Sequence, residues 1–188
     1  MDQTPEIKTD CLRLRAFCRD DTKNVFTYVR NPNVLRYTTA RTPHVLAETQ
    51  EFVNGLVDKP TGAFAWAICL ENNPRVIGAV EFAIPNSSVG KVDYALAEEY
   101  WNKGFMTETV RAIIDWAFSA YVSLDTVTSS AMKVNRASTR VMEKCGLVFL
   151  KNVQEKWEKF DEPVDIKVYH ISRKKWENIP PVDLPSRE

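Results

Sequence analysis

Tyr94-Ala95-Leu96-Ala97-Glu98-Glu99-Tyr100-Trp101-Asn102-Lys103-Gly104-Phe105-Met106-Thr107-Glu108-Thr109-Val110-Arg111-Ala112-Ile113-Ile114-Asp115-Trp116 is the stretch around which the rest of the chain is organised. It begins as the end of a strand, passes through a polar loop with one glycine at its tip, and continues as an amphipathic helix. From Met106 onward the large apolar residues fall at Met106, Val110, Ile113, Ile114, Ala117 and Phe118, the spacing of one helical face. Thr107, Glu108, Arg111, Asp115 and Ser119 are left for the opposite, wet face. A helix that starts just after a glycine presents backbone N–H groups with no intrahelical partner, and their dipoles sum to a positive end that suits a phosphate. Lys103 adds a formal charge beside Gly104. Alone, a glycine before a helix is usually only a turn, so a ligand has to be argued from the remainder of the chain.

The whole chain of 188 residues carries 25 basic and 25 acidic side chains, which is one domain's length with no net field. That balance argues against nucleic acid or an anionic membrane as partner and for a ligand chosen by a pocket. Cys11, Cys18, Cys69 and Cys145 form no CxxC pair and only two histidines are present, so neither a metal site nor a disulfide framework is expected. The four thiols read as free and buried. The amino terminus lacks a charged start followed by an apolar core, and no apolar run approaches membrane length, which predicts a cytoplasmic protein.

Working outward, Cys11 to Phe17 alternates like a half-buried strand, and Asp20-Asp21 begins a helix that Asn31-Pro32 stops. A second helix spans Val45 to Asp58. Strands follow at Ala63 to Leu70 and Val76 to Ile84, joined by the reversal Glu71-Asn72-Asn73-Pro74. Pro85 to Gly90 reads as a polar loop and Lys91 to Leu96 as the strand entering the central stretch. After the third helix, Thr126 to Met132 is rich in β-branched residues and reads as a strand, Asn135 caps a short helix that Gly146 ends, and Leu147 to Trp157 pairs with Ile166 to Ser172. The order β-α-α-β-β-β-α-β-α-β-β describes an α+β fold on a mixed, mostly antiparallel sheet. Residues 1–9 read as an N-terminal arm, 10–176 as the domain and 177–188 as a loose, proline-bearing tail.

Two segments then resemble one known family. Tyr100-Trp101-Asn102-Lys103-Gly104-Phe105-Met106-Thr107-Glu108 resembles the acetyl-CoA pyrophosphate loop of the GNAT N-acetyltransferases, in particular the branch that includes the ribosomal-protein alanine acetyltransferases. Asn135-Arg136-Ala137-Ser138 with the following Lys144-Cys145-Gly146-Leu147 resembles that branch's second signature, Asn-x-x-Ser then Lys-x-Gly-Phe. The family loop is usually Arg/Gln-x-x-Gly-x-Gly/Ala, whereas Trp101 holds the first place here and Met106 the last. Met142 stands where many members carry a tyrosine that serves as a general acid.

The resemblance implies a GNAT fold with splayed fourth and fifth strands, acetyl-CoA as cosubstrate, and an amine acceptor that attacks the thioester directly. It implies that the N–H groups of Asn102, Lys103, Gly104, Phe105, Met106 and Thr107 grip the diphosphate, and that pantetheine lies along the backbone near Leu96 with help from Asn135. Ser138 would stabilise the departing thiolate; as a residue it is also simply a small side chain in the first turn of a helix. Glu81 and Asp93, on neighbouring strands, are the candidate bases, with Glu155 and Asp165 as alternatives; each also reads as a solvated strand charge. Tyr37, Tyr94 and Glu155 are the candidate acceptor contacts, with Arg41 and His44 in the same loop region as Tyr37. No metal is implied, and a homodimer is expected from related enzymes. The rival readings are a GNAT-shaped module that binds CoA without efficient chemistry, and a nucleotide-binding α/β domain built on the Gly104 turn. The second suffers from the lack of GxxxxGK[ST] and GxGxxG.

Overall fold

A computed structural model describes residues 3–179, so the expected tail is described only for residues 177–179. The elements are β1 (Ile7–Lys8), β2 (Leu12–Ala16), α1 (Thr22–Val29), α2 (Pro32–Leu35), α3 (Leu46–Val57), β3 (Ala63–Leu70), β4 (Asn73–Asn86) and β5 (Val89–Leu96). They continue with α4 (Phe105–Ala120), β6 (Thr126–Met132), α5 (Arg136–Lys144), β7 (Val148–Glu155), β8 (Val164–Ser172) and α6 (Arg173–Glu177). One eight-stranded sheet runs in the order β1-β2-β3-β4-β5-β6-β8-β7, antiparallel throughout except for β5 beside β6. The expected α+β order is therefore present, with a two-residue strand and two short helices added to it.

The differences from expectation are local and have turn chemistry behind them. Asn31-Pro32 ends one helix but also begins another, because the Asn31 side chain accepts from Asn33 N and proline suits a first helical turn. The reversal after β3 is tighter than Glu71 to Pro74: Leu70 already pairs with Asn73, and Pro74 lies within β4 next to register shifts. Pro85 to Gly90 is not a long loop either. β4 continues to Asn86, whose Oδ1 accepts from Ser88 N and Val89 N and so closes the turn into β5.

Each face of the sheet carries its own core. Leu14, Trp66, Val80, Phe82 and Val92 point toward α4 and pack with Met106, Val110, Ile113, Ile114, Ala117 and Phe118, the same apolar face the helical period selects. The other face is lined by Ala65, Ala67, Cys69 and Ala79, small residues that let Val25, Tyr28 and Val29 of α1 and Val53 and Leu56 of α3 approach the sheet. The start of α1 is fixed by Asp21, which is buried and takes both Arg15 guanidinium nitrogens at 2.7 and 2.8 Å and the Cys18 N–H at 2.9 Å. Burial works to raise the Asp21 carboxyl, but the Arg15 fork and the amide outweigh it and hold it below its ordinary value.

Two expectations about individual residues are overturned. Glu108 is not on a wet face; it is buried, and its Oε1 accepts from Thr9 Oγ1 at 2.6 Å and Cys11 N at 2.8 Å, tying the strand region to the first turn of α4. Of the four thiols only Cys69 and Cys145 are buried, and Cys18 is exposed. Trp66 is enclosed in the core, where its indole N–H donates to Pro5 O. No helix among the described residues is long and apolar enough to cross a membrane, and no group of three or more His, Cys, Asp or Glu is placed to hold a metal there.

Candidate active site

Among the described residues β5 and β6 are the only parallel neighbours, and they pair at just three positions, Val89 with Thr126, Gly90 with Val127 and Lys91 with Thr128. Beyond Lys91, β5 stays with β4 while β6 stays with β8, so the two strands part and leave a slot. Backbone polar groups alternate sides along a strand. Ser88 O accepts from Thr126 N on the β6 side and Ile77 O accepts from Ala97 N on the β4 side, so Val92, Tyr94 and Leu96 turn their main-chain groups into the slot. This is the splay expected between the fourth and fifth long strands. It offers hydrogen-bonding edges to an extended ligand.

The mouth of the slot is the turn before α4. Asn102 has φ 60° and Gly104 φ 84°, two left-handed residues that reverse the chain, and asparagine and glycine are the residues that tolerate this best. Gly104 is the N-cap residue of α4 and supplies no side-chain cap, so the first-turn N–H groups stay available. Lys103 sits with its ammonium 5.4 Å from the Tyr100 ring centroid. Below the loop, Cys145 donates its S–H to Thr107 O at 3.5 Å and Arg111 donates to Lys144 O at 2.6 Å, which stitches α4 to the end of α5. Burial pushes the Cys145 thiol up to about 12, so it packs rather than reacts.

Trp101, which replaces the basic residue of the usual motif, has a job the sequence reading did not give it. Its indole N–H donates to Leu96 O at 2.7 Å, joining the last residue of β5 to the first residue of the loop. The Leu96 carbonyl is thereby engaged before any ligand arrives.

α5 begins beside the slot. Asn135 caps it, accepting from Ser138 N at 3.2 Å, which leaves the Asn135 amide NH2 as the group able to meet a ligand. Ser138 is half-buried, and its Oγ lies 3.0 Å from Tyr94 Oη; the same phenol also reaches Ser138 O at 3.2 Å. Burial raises the Tyr94 phenol well above its ordinary range, so it stays protonated. Met142 is fully enclosed in the core, where it offers no proton.

Glu81 and Asp93 are directly opposite each other across β4 and β5. They lie on the α1–α3 face, the reverse of the face from which Tyr94 meets Ser138. Lys59 Nζ holds Glu81 at 2.5 Å and Lys91 Nζ holds Asp93 at 2.9 Å. On the same side, the loop after α2 is fastened to the β7–β8 connection. Lys159 Nζ donates to Leu35 O at 2.5 Å and Ala40 O at 3.0 Å, and Arg41 donates to Glu158 O at 3.1 Å. Desolvation lowers the Lys159 pKa, the mark of an ammonium drawn in among carbonyls. Tyr37 lies half-buried in that loop under the Arg36 guanidinium. Glu155 stands apart at the end of β7, exposed and hydrogen-bonded by Trp157 Nε1 at 2.8 Å.

Asn102, Lys103, Gly104, Phe105, Met106, Thr107, Leu96, Asn135, Ser138 and Tyr94 are thus gathered around one slot. Glu81 and Asp93 lie on the other side of the same sheet region. Lys159 escaped the sequence reading because a lysine in a polar loop carries no signal of its own.

Comparison with known proteins bears on this arrangement. Residues 12–148 match the family described as acetyltransferase (GNAT) domain. The chain is 23% identical over 172 residues to the protein named uncharacterized N-acetyltransferase YoaA of Bacillus subtilis, covering 89% of this chain and 96% of that one. In fold it is similar to spermidine N-acetyltransferase from Vibrio cholerae, solved with CoA and spermine, at a TM-score of 0.74 and 21% identity over 89% of this chain and 98% of the other. It is also similar to a ribosomal L7/L12 alpha-N-protein acetyltransferase solved with coenzyme A, at a TM-score of 0.77 and 18% identity over 89% and 98% of the two chains. Since the family match alone spans most of the sheet and the helix at its mouth, the chain belongs to the GNAT acetyltransferase family and is an acyltransferase.

Proposed function

We propose that the protein is an acetyl-CoA-dependent N-acetyltransferase that moves an acetyl group to a primary amine, either a protein N-terminus or a small amine. The observation that carries this reading is the slot between β5 and β6, which runs from the open N-terminus of α4 to the Tyr94–Ser138 pair. The fit to the donor is chemical as well as spatial. A mouth of main-chain N–H groups at a helix N-terminus suits a diphosphate, and an exposed strand edge suits the amides of a pantetheine arm. Acetyl-CoA supplies the acetyl thioester, and its carbonyl carbon gains a C–N bond as the C–S bond breaks, with the electron pair leaving on sulfur.

In this reading the amides from Asn102 to Thr107 and the Lys103 charge hold the diphosphate, while Leu96 N–H and the Asn135 amide NH2 hold the arm. Ser138 donates a hydrogen bond to the developing thiolate, whose conjugate acid has a pKa of roughly 8.5 in a free thiol. Asp93 takes the proton lost by the amine, directly or through water. It is preferred to Glu81 because it sits on the strand that borders the slot, whereas Glu81 is one strand further away; each carboxylate is paired with a lysine, Asp93 with Lys91 and Glu81 with Lys59. Tyr37 and the tied loops at Lys159 contribute to the acceptor side. The acceptor classes are those of two proteins similar in fold, a spermidine N-acetyltransferase and a ribosomal-protein acetyltransferase.

A homodimer and a cytoplasmic location belong to the same proposal. The dimer is supported by β7, an edge strand whose Val148, Phe149 and Leu150 are all exposed. A second reading, CoA binding without efficient chemistry, is favoured by one observation, the enclosed Met142 in place of the family's tyrosine.

Two measurements test the proposal. Acetyl-CoA is expected to raise the melting temperature where ATP and NAD do not, and Gly104→Trp is expected to abolish that shift. Release of free thiol from acetyl-CoA is then followed with N-terminal peptides, polyamines and other small amines. No acceptor-dependent thiol release with any of them would leave the protein a binding module.

A further inference from the structure

Three hydroxyls converge where the slot meets α5. Tyr94 Oη is 3.0 Å from Ser138 Oγ and 3.2 Å from Ser138 O. Ser129, on the facing strand β6, is buried with its hydroxyl turned toward the phenol. Between Tyr94 Oη, Ser138 Oγ and the Ser138 carbonyl there are two protons, the phenol's and the serine's, and two arrangements matter for the slot. When Tyr94 donates to the Ser138 carbonyl, the serine proton is drawn onto the phenol oxygen and is unavailable. When Tyr94 donates to Ser138 Oγ, the serine proton is released toward the slot, and the serine oxygen, already accepting a hydrogen bond, becomes the better donor.

We propose that Tyr94 is a positioning residue for Ser138, its phenol O–H holding the serine oxygen so that the serine's own proton faces the departing sulfur in the slot. This rests on the role given to Ser138 above. The tyrosine touches the reaction only through the serine and undergoes no net proton change. It also accounts for chemistry without a proton donor at Met142, because a serine donor that is itself hydrogen-bonded does the stabilising.

The test is a double-mutant cycle on the full chain, measuring kcat and KM for acetyl-CoA with Tyr94→Phe, Ser138→Ala and the pair together. Phenylalanine keeps the ring and removes only the hydroxyl. Tyr94→Phe is expected to lower kcat about tenfold, the worth of one hydrogen bond, with KM for acetyl-CoA changed less than about twofold. The double variant is expected to be no slower than Ser138→Ala, since a residue acting through Ser138 has nothing left to act on. Additive losses, or Tyr94→Phe at full kcat beside a slow Ser138→Ala, would overturn the role of Tyr94 alone. Ser138→Ala at full kcat would overturn the thiolate-donor reading itself. Site-specific 3-fluorotyrosine at 94, which alters donor strength and leaves the packing intact, is expected to change kcat with KM fixed. An unchanged kcat in that protein counts against the proposal even if Tyr94→Phe folds poorly.

Discussion

The Trp101 indole N–H donates to the Leu96 carbonyl at 2.7 Å, and this bond ties the end of β5 to the loop that opens α4. Trp101 is partly exposed, so its ring is not there to fill the core. Its bond instead sets where the mouth of α4 lies relative to the slot. Trp101→Phe, which keeps the ring and deletes the donor, is expected to cost about 1 kcal/mol of stability. Because the loop is then less well placed, KM for acetyl-CoA should rise several-fold with kcat nearly constant. Melting curves and steady-state kinetics check both halves, and an unchanged KM would make the bond a stabilising one only.

The two opposed carboxylates are expected to separate on substitution. Asp93→Asn should lower kcat about 100-fold, the lower end of what a positioned base contributes, with KM for acetyl-CoA nearly unchanged. Glu81→Gln breaks only the contact with Lys59 and should leave kcat within about threefold. Equal kinetic losses in the two variants would mean that the pair acts together or that neither is the base.

Stability against acid is expected to depend on Asp21. Its carboxyl is held below the ordinary 3.8 in the folded protein, so it contributes stability that is complete above about pH 5 and is lost as pH falls through the folded value. Asp21→Asn should therefore destabilise by about 3 kcal/mol at pH 7, leaving Arg15 half-buried without its partner. The gap between the two proteins should narrow as the pH is lowered below about 4. Denaturant midpoints at pH 7, 5 and 3 give the comparison, and a gap independent of pH would sink the assignment.

Lys159 joins two loops on the α1–α3 side, and its bonds among the described residues go to Leu35, Thr38 and Ala40, none of them in the loop that opens α4. Lys159→Met keeps the aliphatic stem and removes the donors. KM for the amine is expected to rise about fivefold or more while KM for acetyl-CoA stays put, because only the acceptor side loses its fastening. A rise in the acetyl-CoA KM instead would place the effect at the sheet.

Much of this was legible in the residues themselves, and for identifiable reasons. The α4 face from Met106 to Phe118 repeats large apolar residues at helical spacing, and β6 opens on three β-branched residues, Thr126, Val127 and Thr128, so period and propensity agree. The Asn135 cap and the Gly146 stop, whose φ is 84°, are single-residue signals with one structural meaning. What stayed hidden was long-range. Glu108 looks solvent-facing by helical period, and only the approach of Thr9 and Cys11 buries it. Tyr94 and Ser138 are 44 residues apart, and nothing local in either segment announces that their hydroxyls meet. Likewise, a tryptophan in a loop gives no hint that a strand carbonyl will come to it.

The brevity of the parallel pairing has a mechanical side. With only three rungs joining β5 to β6, the sheet is two leaves on a short spine, continuous in side-chain packing but nearly severed in backbone. Anything extended that lies in the slot becomes the missing stitch, so occupancy should stiffen the whole molecule and not merely its rim. Amide exchange at Tyr94, Leu96 and the second half of β6 would then slow in concert, a signature of one body being clasped shut.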